Sequence, residues 1–112
     1  MITIDKLKEL GADVDSGLAR CINNEEFYLK MVTMALQGTG FEALQKAVED
    51  GNLDEAFERA HSLKGVLGNV SLTSLYEPVA EMTEELRSRN DIDYAPYLET
   101  VSAELNKYRS LL

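Results

Sequence analysis

The chain has 112 residues, enough for one domain with a single core and too few for two. Its net charge of −9, from 20 acidic and 11 basic residues, argues against nucleic acid, whose phosphates are met by clustered Lys and Arg, and against an acidic membrane surface. Cys21 is the only cysteine, which rules out an internal disulfide and a cysteine-based zinc site and makes a reducing compartment the expected setting.

With no tryptophan, two prolines and abundant Leu, Ala, Glu and Lys, the composition predicts an all-α fold. No apolar run approaches the ~18 residues of a membrane span. The N-terminus M-I-T-I-D-K-L-K-E-L lacks the basic region and apolar core of a signal peptide, so a cytoplasmic location is expected.

Ile4, Leu7 and Leu10 form a short helical run that Gly11 can close. Asp15 or Ser16 can cap a second short helix carrying Leu18, Ala19 and Ile22, with Asn23 and Asn24 ending it and opening the next. These two pieces read as a lid on one end of the core. From Glu25 to Gln37, the residues Phe27, Tyr28, Met31, Val32, Met34, Ala35 and Leu36 make a stripe wide enough for burial on two sides. Gly38, Thr39 and Gly40 interrupt it as a kink or a turn, and Phe41, Leu44, Ala47 and Val48 resume the period.

Gly51 and Asn52 then read as a C-cap and an N-cap back to back, with Glu55 at the spacing of a capping box. The helix that follows carries Leu53, Ala56, Ala60, Leu63, Leu67 and Val70 at alternating spacings of three and four, the seam of a bundle helix. Leu72, Leu75, Val79, Met82 and Leu86 repeat the seam, and Pro78 within it marks either a helix start, with Ser74 and Glu77 as a capping box, or a bend. Asp93 can cap a last helix with Pro96 in its first turn and Tyr94, Leu98, Val101, Leu105, Tyr108 and Leu112 along its buried side. The expected architecture is a single domain over residues 1–112: an antiparallel four-helix bundle over 24–112, with short N-terminal capping helices over 1–23.

The stretch from Asn52 to Ser71 carries the candidate site. At about 100° per residue, His61 points roughly 130° away from the middle of the seam and should face water. Asp54, Phe57, Lys64, Gly65 and Gly68 share that side, since offsets of three, four and seven return to one face. Two glycines inside a helix cost roughly 2 kcal/mol relative to alanine. Without packing to compensate, they suggest that another molecule's backbone comes close there.

A single surface histidine is most often a solvated side chain, and a glycine can simply end a helix. Leu67 and Val70 continue the seam in register past Gly65, however, which weakens the second reading. A metal site would need carboxylates from the same face, where only Asp54 and Glu58 qualify, and no nucleophile turn or oxyanion hole is visible for a serine-type triad. A neutral imidazole can instead accept a phosphoryl group as a phosphoramidate, and Lys64 one turn along can place an ammonium beside the phosphoryl oxygens.

The run A-H-S-L-K-G-V-L-G-N-V, residues 60–70, resembles the signature of histidine-containing phosphotransfer (HPt) domains of bacterial phosphorelays, where Lys and Gly follow the His at the third and fourth positions. Residues 15–29 (D-S-G-L-A-R-C-I-N-N-E-E-F-Y-L) and 49–56 (E-D-G-N-L-D-E-A) are similar to the segments that precede it. The resemblance implies that His61 accepts phosphate through Nε2, Lys64 supports the phosphoryl group, and Gly65 and Gly68 let a receiver domain dock. Asp54, Phe57 and Glu58 are expected to join that docking face. The segment 25–50 is implied to be one long, kinked helix.

Partners implied are aspartate-bearing receiver domains of response regulators and a hybrid histidine kinase, with no nucleic acid and no membrane. The domain is expected to act as a monomer and to have neither independent catalytic activity nor a cofactor, the magnesium belonging to the receiver. Ser71, where the family often has glycine, and Pro78 depart from the pattern. The alternatives are a helical-bundle adaptor that binds a partner through the same face without phosphate, and the phosphoacceptor domain of a chemotaxis-type kinase.

Overall fold

A computed structural model describes every residue from Met1 to Leu112 and contains helices and no strand. The helices are α1 (Ile4–Glu9), α2 (Val14–Arg20), α3 (Glu25–Gln37), α4 (Gly40–Glu49), α5 (Leu53–Asn69), α6 (Thr73–Arg87) and α7 (Ala95–Arg109). The protein is an all-α helical bundle.

Local capping explains several of the boundaries. Thr3, Asn24 and Asn52 each accept a backbone N–H three residues on, satisfying donors that the first helical turn leaves free. Gly11 and Gly51 take positive φ, 97° and 71°, just beyond α1 and α4.

At α2 the cap is Asp13 rather than Asp15 or Ser16: its Oδ1 accepts the Ser16 N–H at 3.3 Å. This earlier start puts Val14 inside the first turn, where it is buried. Ile22, expected on the apolar side of α2, lies beyond the helix and is 91 % exposed. Ile22 and Asn23 both adopt positive φ, reversing the chain toward Asn24 and turning the Ile22 side chain outward.

The stripe on α3 is also narrower in its burial than its width suggests. Tyr28, Val32 and Leu36 are buried, while Phe27 and Met34 remain exposed, because α3 packs on α7 and α2 with one side only. At Gly38 the backbone becomes extended (ψ 160°). The helices on either side do not fold back on one another; α3 packs on α7 and α4 on α5. The interruption is therefore a break within one arm of the bundle.

Arg109 of α7 holds that break. It donates to the carbonyls of Leu36 (2.9 Å) and Gly38 (3.2 Å) and pairs with Glu42 across the gap at 2.7 Å. The carbonyls freed where α3 stops thus acquire a charged donor.

Helix α6 starts at Thr73 and runs through Pro78, with no side-chain cap. The capping box expected from Ser74 and Glu77 does not form because Ser74 is used elsewhere: its hydroxyl donates to the Leu10 carbonyl and also meets the Tyr108 hydroxyl, both at 2.7 Å. Asp93 does satisfy an N–H at the start of α7, that of Ala95. Leu112 lies past the end of that helix and is half exposed, so the seam of α7 ends at Tyr108.

Helices α4, α5, α6 and α7 pack in sequence, and α3 closes the ring against α7. The interior has two clusters. The larger joins Leu7, Ala12 and Val14 of the N-terminal segment to Tyr28, Val32, Leu36, Leu67, Leu75, Val101 and Tyr108. The smaller, at the other end, contains Leu44, Ala56, Ala60, Met82, Leu86 and Tyr94. Leu63, two residues after His61, packs against both. The middle of α5 is therefore seated where the two clusters meet.

Candidate phosphotransfer site

Helix α5 has a firmly marked start. The Asn52 side chain accepts the Glu55 N–H at 3.1 Å, and Asp54 and Glu55 sit in the first turn, where the helix dipole favours negative charge. Only one half of the expected capping box forms. The Asn52 N–H donates to the Ala47 carbonyl, and the Glu55 carboxylate accepts from Arg59 at 2.7 Å instead of reaching back.

With Ala56, Ala60 and Leu67 buried beneath, the opposite face of α5 is held outward. His61 is exposed there, and its imidazole makes no hydrogen bond within the chain. Lys64 is half-buried and takes part in none of the ion pairs. The two glycines differ. A Cβ on Gly65 would meet no atom within 4 Å, whereas one on Gly68 would come to 3.3 Å from the ring of Tyr76. Open space lies over the first, and an aromatic ring of α6 over the second.

The remaining predicted positions lie toward the start of α5. Phe57 is half-buried and stacked on the His61 imidazole, with ring centroids 5.7 Å apart and an interplanar angle of 24°. Asp54 is exposed and paired with Arg89 at 2.7 Å. Glu58 is exposed and unpaired. No three His, Cys, Asp or Glu side chains converge as a metal site.

On the other side of His61, an open groove of about 540 Å³ runs along α5, lined by His61, Lys64, Gly65 and Gly68 on one wall. Tyr76 of α6 and Asp13, Ser16 and Arg20 of the α2 region complete it. Arg20 is anchored by hydrogen bonds to the Gly68 carbonyl and, at 3.3 Å, to Ser71 Oγ. The groove thus presents two cations, Lys64 free and Arg20 tied to the end of α5.

A family model, Hpt domain, matches residues 36–110, well over half of the chain. The chain belongs to the Hpt domain family. No curated protein matches it, and neither does any solved structure. Membership makes the protein a phosphotransfer module of two-component signalling.

Several residues around the site of this Hpt domain are invisible to a reading of α5 alone. Arg20, Asp13 and Ser16 come from a segment whose sequence shows only a short, weakly periodic helix. Arg87, the last residue of α6, and Arg89, two residues beyond it, lie over the ring of Phe57 with guanidinium carbons 5.1 and 4.8 Å from its centroid. Phe57 itself is legible, since an offset of four residues puts it beside His61.

Ser71 adopts φ +56°, the left-handed conformation that suits glycine. It is nevertheless well held: its N–H reaches the Gly68 carbonyl, its carbonyl accepts from Asp13, and its hydroxyl meets Arg20. These three contacts offset the backbone strain of a side chain at this angle.

Proposed function

We propose that His61 accepts a phosphoryl group from the aspartyl phosphate of a receiver domain and passes it to the aspartate of another. The Nε2 lone pair attacks phosphorus and the P–O bond to the aspartate breaks. The carboxylate leaves, and the charge on the imidazolium is relieved by loss of the Nδ1 proton to water. Transfer onward runs the same steps in reverse on the second receiver. The observation that carries this reading is the combination on one exposed face: a histidine free of hydrogen bonds, an unpaired lysine one turn along, and beside it Gly65, over which nothing lies within 4 Å.

Lys64 places its ammonium against the transferring phosphoryl oxygens, where charge is spread in a loose transition state. Gly65 leaves the backbone bare for the receiver's active-site loops, and Asp54, Phe57, Glu58 and Gly68 border the contact. The magnesium that supports transfer belongs to the receiver, and the domain turns over no substrate of its own. It acts as a cytoplasmic monomer between a hybrid histidine kinase and a response regulator.

The test is labelling by a phosphorylated receiver. Wild type acquires an acid-labile, base-stable phosphate, His61→Gln acquires none, and Lys64→Ala is labelled about 10- to 100-fold more slowly with an unchanged circular dichroism spectrum. Equal labelling of wild type and His61→Gln would overturn the assignment.

A further inference from the structure

A nucleophilic imidazole works only if its attacking nitrogen is held in line with the group it attacks, and proteins usually hold it by a hydrogen bond to the other ring nitrogen. His61 has no such partner: neither nitrogen is hydrogen-bonded within the chain. Its ring rests instead on Phe57, one turn earlier on α5, with centroids 5.7 Å apart and planes inclined by only 24°.

Phe57 is itself restrained. The guanidinium carbons of Arg87 and Arg89 lie 5.1 and 4.8 Å from its ring centroid, within the range of cation–π attraction. Two cations beside one ring repel each other, and each is neutralised by its own carboxylate. Arg87 pairs with Glu84 at 3.2 Å within α6. Arg89 pairs with Asp54 at 2.7 Å, and its Nη1 also donates to the carbonyls of Leu86 and Arg87. The end of α6 therefore reaches across to α5 and closes over Phe57.

We infer that Phe57 is a positioning residue for His61. Clamped by Arg87 and Arg89, its ring holds the imidazole in one orientation by stacking, leaving both ring nitrogens unencumbered for phosphoryl transfer. This rests on the phosphoacceptor reading of His61 and adds to it how the nucleophile is oriented. It also gives Phe57 a task separate from docking, which the choice of phosphoryl donor can isolate. Phosphoramidate, a small donor that needs no docked protein, loses ammonia as its phosphorus is transferred to the imidazole.

Phe57→Leu keeps an apolar side chain but removes the stacking surface. Its rate of phosphorylation by saturating phosphoramidate is expected to fall about three- to tenfold, and the maximal rate from a saturating phosphorylated receiver to fall by a similar factor. Phe57→Tyr keeps the ring and should retain the wild-type rate. Arg87→Gln combined with Arg89→Gln, which changes no residue of α5, should give a smaller loss of the phosphoramidate rate in the same direction.

Because the chain has one histidine, its imidazole protons are assigned in an NMR spectrum without ambiguity. They should move downfield in Phe57→Leu as the ring current of the stacked phenyl is lost, and stay in place in Phe57→Tyr. An unchanged rate with phosphoramidate in Phe57→Leu, or unmoved imidazole protons, would overturn the inference. A loss seen only as weaker half-saturation by the receiver would do the same, by assigning Phe57 to docking alone. If receivers fail to label the wild type, the relay reading falls, and the phosphoramidate and NMR comparisons still decide how the imidazole is held.

Discussion

Gly65 and Gly68 occupy equivalent places in the sequence pattern, yet the fold asks different things of them. Gly68 has a partner inside the molecule, since a Cβ there would come to 3.3 Å from the Tyr76 ring, tight enough that the ring must shift by a few tenths of an ångström. Gly65 has none: a Cβ would enter open space, and no positive φ requires glycine. Its absence of a side chain thus serves nothing within the chain and points to a partner's approach. Gly65→Ala is expected to stabilise the isolated domain by up to about 1 kcal/mol, from helix propensity alone, while slowing phosphotransfer from a receiver. Chemical denaturation beside a transfer assay checks both. A destabilised variant, or one with a faster or unchanged transfer rate, would refute the assignment.

At the scale of elements, the N-terminal helices do more than cover an end of the core. They grip the chain just where α5 stops. Arg20 holds the Gly68 carbonyl and the Ser71 hydroxyl, the Asp13 N–H reaches the Ser71 carbonyl, and from the adjoining α3 Tyr28 donates its hydroxyl to the Val70 carbonyl at 2.8 Å. Gly17 makes the Tyr28 contact possible, because a Cβ there would fall 2.3 Å from the ring. Burial, with smaller contributions from neighbouring Tyr108, Cys21 and Asp13, pushes the Tyr28 phenol up from 10.0 to about 12.

A pKa raised on folding contributes stability that is complete below the unfolded value near 10 and is lost as pH rises through the folded value. Burial raises Tyr94 and Tyr108 as well, so the alkaline loss is shared. The urea midpoint should fall between about pH 10 and pH 12, and fall less steeply in Tyr28→Phe than in wild type. Equal slopes in the two proteins would remove Tyr28 from this account. The break between α3 and α4 is held in a comparable way from α7, where the hydrogen bond from Arg109 holds the Glu42 carboxyl below the usual carboxylate range.

For the whole molecule, the larger of the two core clusters draws on residues that lie outside the family match, which begins at residue 36. Leu7, Val14, Tyr28 and Val32 are each at most 2 % exposed. Burial of four such side chains contributes about 6–12 kcal/mol, comparable to the entire stability of about 5–15 kcal/mol of an ordinary domain. A fragment of residues 36–110 should therefore lack a cooperative thermal transition by circular dichroism. A sharp melt close to that of the full chain would show that the N-terminal helices are dispensable to the fold.

What the sequence determined by itself is what depends on local spacing. The seams of α5 and α6, the caps at Gly51 and Asn52, the outward face of His61, and its neighbours Phe57, Lys64, Gly65 and Gly68 all follow from a 3.6-residue period and the chemistry of helix ends. Ile22, Phe27 and Met34 are exposed against their helical pattern because an apolar residue is buried only if another element arrives to cover it, and no local pattern carries that information.

The tertiary structure alone decided what depends on distant partners. The interruption at Gly38 became a break rather than a turn because Arg109 lies across it, and Ser71 keeps a left-handed backbone because Arg20 and Asp13 meet it. Arg87 at the end of α6 and Arg89 just beyond it close over Phe57 because the packing of α5 against α6 brings them there. Stacking of the phenyl on the imidazole could be anticipated from one helix, but the clamp that holds it required two.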